Sequence, residues 1–422
     1  MFHPSLPIDT QLASAGLSGR LLRSLLFLFA ATIPMQATGQ ERAKPAPATA
    51  KKTLPIGMST ALSGPAADLG LHMRDGVQIA FAEYNRALPA GRAPLELIAL
   101  DDGYEPERCA PNMRKLIDEN QVVAIIGNVG TPTAIAAIPI VNERHTPFFG
   151  AFTGAGVLRK DPPDRYVINF RASYAEETAA MVDALVQVGG LDPKEVAFFT
   201  QRDGYGDSGY NGGREALLRH GLHADTEIAH GRYERNTVAI EDGLAELMLA
   251  KTPPRAVIMV GSYKPCAELI KQAHALEFRP LFLNVSFVGP SSLALALGAD
   301  GEGVIVTQVV PHFDSELPLV REYRLAAAAY DPKLRHSFGS LEGYAAGRIL
   351  CRAMASIETV PDREKIVDAL LGLGSFDLGL GTPIELSPTK HQASHQVWPT
   401  ILSKGEIVPF DWRRLPTLLA SR

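Results

Sequence analysis

From Thr53 to about residue 370, short β-branched apolar runs alternate with amphipathic helical stretches, and this alternation confines the chain to an α/β architecture. The strands are expected at 54–58, 95–100, 122–126, a short one from Pro147, 195–200, 256–260, 281–283 and 304–307. Between the first two, Leu69, Met73, Val77, Ala80, Phe81 and Tyr84 fall on one helical face, the spacing of a helix laid on a sheet. Later helices are expected near 238–249, 319–330, 341–357 and 363–371. Short strand-to-helix connections call for parallel sheets covered by helices. A second series starts near Ser173, where Ser173 and Glu176 form a capping box, so two lobes are expected. The last forty residues differ, with strands near 396–402 and 407–410.

The stretch 125–156 (IIGNVGTPTAIAAIPIVNERHTPFFGAFTGAG) carries the clearest hint of a site. It reads as strand, Gly/Thr turn, helix, short strand and second Gly/Thr turn. Thr131 precedes Pro132, which predicts a threonine N-cap with proline at the first helical position. Open N–H groups and hydroxyls are thereby placed at strand C-termini, where open α/β sheets bind small ligands. Thr131, Thr153, Tyr205 and Tyr263 occupy equivalent glycine-containing turns at strand ends, each turn carrying one such hydroxyl or aromatic. A tyrosine in such a place can cover a small ligand and donate one hydrogen bond.

The chain is 422 residues long, 46% hydrophobic and 21% charged, with a net charge of −5 and no acidic or basic blocks. Neither nucleic acid nor an anionic membrane surface is an expected partner. Arg20 and Arg23 precede an apolar run, 24–33, followed by Ala37-Thr38-Gly39, the pattern of a secretory signal over residues 1–39. The apolar run is too short to span a bilayer, and no cysteine follows it that could carry a lipid. A Pro/Ala-rich leader, 40–53, comes next, and the mature chain is expected in the periplasm. Cys109, Cys266 and Cys351 are too scattered for a disulfide framework and read as buried thiols.

Catalytic motifs are weak. Adjacent Asp101 and Asp102 on a strand point to opposite faces, so they read as a solvated strand end or helix cap. His391 and His395 lie in a loop-like SPTKHQASH segment, unlike a helical zinc pair. Gly154 and Gly156 form a GxG without its third glycine, and neither GxxxxGK[ST] nor GxSxG occurs. No cofactor, metal or enzymatic activity is expected.

Several segments together resemble the type 1 periplasmic binding proteins, in particular the leucine/isoleucine/valine-binding family of ABC importers. They are IGMSTALSGPAADLG, LDDGYEPERCAPNMRKLIDENQVVAIIG, the Gly/Thr stretch, FFTQRDGYGDSG, MVGSYKPCAELIKQAHALEF and FGSLEGYAAGRIL, with the closing strands. The resemblance runs from about Leu54 to Phe410. It implies two doubly wound lobes with parallel-type central sheets joined by a three-strand hinge. One lobe would hold 54–172 and 309–372, the other 173–308 and 373–412. It also implies a monomer that binds a small molecule in the interlobe cleft and delivers it to permease subunits in the inner membrane. The positions matching the family's carboxylate-holding turns are Gly130, Thr131, Ala151 and Thr153, and its second-lobe tyrosines match Tyr205 and Tyr263.

Three departures bear on the ligand. Ser286 stands where the family places an acidic partner for the ligand's ammonium, Leu69 replaces an aromatic of the first turn, and Tyr104 and Gly130 replace a cysteine pair. An unpaired ammonium in a closed cleft is costly, so a standard branched-chain amino acid is not the expected ligand. A carboxylic acid, an amide, an aromatic acid or a lipid-like molecule fits better. The alternative role is a ligand-sensing or apolar-solute carrier subunit of a sensor kinase or non-ABC transport system.

Overall fold

The computed structural model describes residues 53–421. The expected signal peptide, 1–39, and nearly all of the leader, 40–53, lie outside the described residues.

Strands β1 (Leu54–Thr60), β2 (Leu95–Asp101), β3 (Ala124–Ile126), β4 (Phe148–Phe149) and β5 (Val167–Ile168) form one sheet in the order β2-β1-β3-β4-β5. Every pairing in it is parallel. Helices α1 (Ala67–Arg86), α2 (Pro106–Arg114) and α3 (Thr131–Glu143) connect its strands. After β5 the chain crosses into a second series. It comprises α4 (Tyr174–Asp183), β6 (Val196–Gln201), α5 (Gly204–Arg219), β7 (His230–Tyr233), α6 (Glu241–Met248), β8 (Ala256–Val260), α7 (Tyr263–Ala275), β9 (Leu281–Asn284), α8 (Pro290–Leu297) and β10 (Ile305–Gln308). Every residue of β6, β8 and β9 is buried, as strands covered by helices on both faces require.

The chain then returns to the first lobe with α9 (Pro318–Tyr330), α10 (Phe338–Ser356), α11 (Arg363–Leu371) and a small antiparallel pair, β11 (Gly374–Phe376) with β12 (Ile384–Leu386). A third crossing delivers β13 (Trp398–Ser403) and β14 (Glu406–Pro409) to the second sheet, whose order is β14-β13-β10-β9-β8-β6-β7. These last two strands pair antiparallel, so the sheet is parallel except at one edge. The chain is thus a two-lobed α/β fold dominated by parallel sheets.

The segment 373–412, assigned from sequence to the second lobe, is divided. Asn169 donates to the His391 carbonyl, and Ala393 and Ser394 donate to the Asn169 and Phe170 carbonyls, which binds 391–394 to the end of β5. Only β13 and β14 join the second sheet. The tail also holds a short helix that the strand-rich reading omitted, α12 (Leu415–Ala420), whose Leu415 and Leu419 are buried.

Helices α1 and α10 form the tightest helix pair of the first lobe, because glycines face each other at the crossing. A Cβ added to Gly76 would lie 2.0 Å from the Ser340 carbonyl oxygen, and one on Gly343 would lie 2.3 Å from that of Met73. This approach matters to the cleft, because α1 and α10 bring His72 and Glu342 to its wall. Gly343→Ala is therefore expected to force the helices apart and cost about 1–3 kcal/mol in chemical denaturation. Gly156→Ala, where an added Cβ meets nothing, should change stability by less than about 0.5 kcal/mol.

Candidate functional site

On the first lobe the site begins where β3 runs into α3. The N-cap is Gly130, not the expected Thr131, and its φ of +103° is why glycine stands there. Thr131 is the first helical residue and Pro132 the second. The Thr131 hydroxyl is consequently free to share a 2.7 Å hydrogen bond with the Thr153 hydroxyl. Gly130 N–H donates to the Phe152 carbonyl and Thr153 N–H to that of Ala151. Among the described residues, the N–H groups of Thr131 and Ala151 have no acceptor, and the helix dipole adds positive potential there.

Tyr104 lies over this turn. Asp101 and Asp102 build the loop that carries it: Asp101 is the partly exposed strand end anticipated from sequence, and Asp102 is not. Asp101 accepts from the N–H groups of Leu62, Ser63 and Gly103 and pairs with Arg108 at 2.7 Å. Asp102 is fully buried, taking the Ser59 hydroxyl at 2.7 Å and the Tyr104 N–H at 2.9 Å. Burial pushes the Asp102 carboxyl up to about 6, against the pull of these donors. Tyr104 is held at φ +66°, with its ring so close to Gly130 that any side chain there would collide with it. The ring thus occupies the space that a cysteine pair at these two positions would bridge. Its hydroxyl accepts a 3.1 Å hydrogen bond from Gln201, across the cleft.

On the second lobe, Asp203 caps α5 by accepting from Tyr205 N–H at 3.0 Å. Tyr205 is fully buried, and its hydroxyl donates to the Gly261 carbonyl at 3.3 Å. Gly204 sits against Ile135 and Thr131, so the N-termini of α3 and α5 face each other. The turn Ser286–Val288 after β9 drives Phe287 between the lobes. Its ring centroid lies 4.6 Å from Tyr205, 5.6 Å from Phe152, 5.8 Å from Tyr104 and 6.4 Å from Tyr174.

The electrostatic centre was not foreseen from sequence. Arg171, fully buried where the chain first crosses between lobes, pairs with Glu177 at 3.1 Å and approaches Glu342 at 3.6 Å. It also hydrogen-bonds the Ser286 hydroxyl and lies 5.0 Å from the Phe152 ring centroid and 5.6 Å from that of Tyr174. Ser286, at the position of the missing acidic partner, donates both its N–H and its hydroxyl to Glu177, at 2.7 and 2.9 Å. Thr307 donates to the same carboxylate at 2.7 Å. Burial raises the Glu177 carboxyl, opposed by Arg171 and these donors. Burial likewise raises Glu342 to about 7, opposed by Arg171. Desolvation works against the Arg171 charge, but Glu342 and Glu177 more than offset it.

Of the eight residues singled out from sequence, Gly130, Thr131, Ala151 and Thr153 form one wall, and Tyr205 and Ser286 approach from the other. Leu69 and Tyr263 sit further out, meeting at Gly289 between the lobes. A void of about 10 Å³ lies beside Leu69 and Ser286, lined also by His72, Phe152, Gln308 and Glu342 among others. That is room for about one water molecule. The lobes are closed on each other, held at the rim by Glu105 with Arg235 at 2.9 Å and Asn236 at 2.6 Å, and by Ser292 with Asp68 at 2.8 Å.

Residues 53–406 match the family described as periplasmic binding protein. The fold has solved counterparts. A possible leucine/isoleucine/valine-binding protein from Rhodopirellula baltica SH 1 is 55% identical, with a TM-score of 0.84 over 86% of this chain and 98% of that one. This chain belongs to the type 1 periplasmic binding proteins of the leucine/isoleucine/valine-binding family. Fold likeness extends to a leucine binding protein from Thermotoga maritima MSB8, 22% identical, with a TM-score of 0.75 over 85% of this chain and 98% of that one. It also extends to a fatty acid ABC transporter substrate-binding protein from Thermomonospora curvata, 20% identical, with a TM-score of 0.75 over 88% of this chain and 94% of that one. No curated protein matches the sequence. Members of this family are substrate-binding proteins that take small molecules and work with ABC transporters.

Other groups weighed from sequence have local duties. His391 hydrogen-bonds the Val167 carbonyl at 3.0 Å, and His395 meets Glu176 at 2.6 Å. The three cysteines are buried and free. Among the described residues no group of three or more His, Cys, Asp or Glu side chains is arranged to hold a metal ion, and no helix is long and apolar enough to cross a membrane.

The raised Glu342 carboxyl gives a signed pH dependence. The folded chain binds this proton more tightly than the unfolded chain, whose carboxyl titrates near 4.5. Its contribution is therefore complete below that value and is lost as pH rises to about 7. Glu342→Gln should flatten the fall in unfolding free energy between these limits by up to about 3 kcal/mol, measured against the parent protein. Identical pH slopes in the two proteins would show that Glu342 is not the group responsible.

Proposed function

We propose that this protein is an exported, monomeric solute receptor that captures a small molecule between its lobes and delivers it to an ABC permease in the inner membrane. The first-lobe turns take an acceptor-rich end of the solute, a carboxylate or an amide carbonyl, through the Thr131 and Ala151 N–H groups and the Thr131 and Thr153 hydroxyls, with Gly130 allowing close approach. Tyr205 and Ser286 face it, and Leu69 and Tyr263 close the rim.

The observation that carries this reading is the asymmetry between the two walls. One wall holds donors without acceptors at a helix N-terminus. On the other, the Ser286 side offers a carboxylate, Glu177, that already takes three hydrogen bonds and the Arg171 guanidinium. Such a site favours an anionic or neutral solute over one with a free ammonium.

A thermal-shift screen of amino acids, organic acids, amides and fatty acids tests it. A true solute at a hundred times its dissociation constant stabilises the protein by about 2.7 kcal/mol. Carboxylates or amides without an ammonium should raise the midpoint, and Thr131→Ala should weaken them by about tenfold, the loss of one charge-assisted hydrogen bond. Tight leucine binding, undiminished in Ser286→Ala, would contradict the assigned ligand class.

A further inference from the structure

Phe287 occupies the middle of the proposed solute site, and its surroundings set the shape that the site accepts. Its ring is fully buried and belongs to a turn between β9 and α8, not to either sheet. The turn ends at Gly289, at φ +76°, with Pro290 opening α8. Two of the four aromatic neighbours, Tyr104 and Phe152, come from the first lobe, and Tyr205 comes from the second. The fourth, Tyr174, follows the crossing and packs on Gly154 of the second Gly/Thr turn. The interplanar angles run from 40° to 87°, the tilted and edge-on geometries that aromatic rings prefer.

This cage also borders the unpartnered donors. Tyr104 lies on Gly130, next to the Thr131 N–H, and Phe152 stands between Ala151 and Thr153 in the chain. On the opposite side, Arg171 spreads its charge over Phe152 and Tyr174. Phe287 is itself fully buried among these rings, so a solute's ring can enter their midst only if Phe287 leaves.

We infer that Phe287 is a built-in occupant that stands in for a ligand's ring when the lobes are closed, and that the ligand is an aromatic carboxylate or amide which takes its place. This rests on the proposed solute-receptor reading and names the ligand class of the same cleft. When the lobes part, Phe287 withdraws with the second lobe from Tyr104 and Phe152, leaving two first-lobe aromatic faces beside the free N–H groups. An entering ring meets those faces while its carboxylate or carbonyl reaches Thr131 and Ala151. Closure then requires the Ser286–Val288 turn to put Phe287 elsewhere, a cost that lowers the apparent affinity of the parent protein.

The test is calorimetric titration of phenylacetate, with isovalerate as the aliphatic counterpart, into the parent protein, Phe287→Ala and Phe287→Leu. Removing the occupant should strengthen phenylacetate binding by about tenfold or more in Phe287→Ala, less in Phe287→Leu, with a smaller gain for isovalerate. Phe287→Leu keeps an apolar filler, so it covers the case in which the alanine variant unfolds. Weaker or unchanged phenylacetate binding in the folded variants would make Phe287 a wall of the site and overturn the inference. Equal gains for both probes would remove the aromatic preference. Adding Thr131→Ala separates the two readings: a gain on removing Phe287 that persists undiminished there supports the occupant and contradicts the donor-wall assignment.

Discussion

The cleft depends on one buried guanidinium. Arg171 sits at the first crossing between the lobes, with Glu177 and Ser286 reaching it from the second lobe and Glu342 from the first. An unpaired charge at that depth would be prohibitive, so the surrounding carboxylates are a condition for burying it. Two carboxylates share one guanidinium, and burial, against the pull of Arg171, raises the Glu342 carboxyl to about 7. The crossing between the lobes is therefore also the place where their charges are balanced. Any solute must enter without disturbing that balance.

This explains why an apparent loss at Ser286 leaves no gap. The serine touches both Arg171 and Glu177, which pair with each other, and its own N–H and hydroxyl complete the carboxylate's hydrogen bonds. The acidic residue is not missing from the neighbourhood; it is one layer deeper and already neutralised. What the first-lobe wall then presents is donors at the N-terminus of α3 with the rings of Tyr104 and Phe152 beside them. The glycine contact between α1 and α10 supports this by fixing the helix that carries Glu342.

Much of the fold was legible because its signals are local. The β8 strand coincides with the apolar run 256–260, and the Ser173–Glu176 capping box forms as written. The two Gly/Thr turns likewise lie side by side, with Thr131 and Thr153 hydrogen-bonded, whereas the facing position of Tyr205 was implied only by the family resemblance. The cap itself was misassigned, because proline tolerates the second helical position as well as the first, and only glycine can adopt the conformation at 130. The tail was divided wrongly because hydrogen bonds to Asn169 and Phe170 from residues more than two hundred positions away leave no local pattern. Arg171, Glu342 and Phe287 were invisible for the same reason. An arginine before a capping box, a glutamate in a helix and a phenylalanine after a strand are each unremarkable until the fold brings them together.

The central claim is that a solute is held between the lobes by the donors at the start of α3 and in the turn after β4. Amide hydrogen exchange, with and without a solute that raises the unfolding midpoint, examines those donors directly. Slowed exchange is expected at Thr131 and Ala151, together with the start of α5 around Tyr205, when the solute is present. Protection confined to other surfaces, with the Thr131 and Ala151 amides exchanging as fast as before, would contradict it.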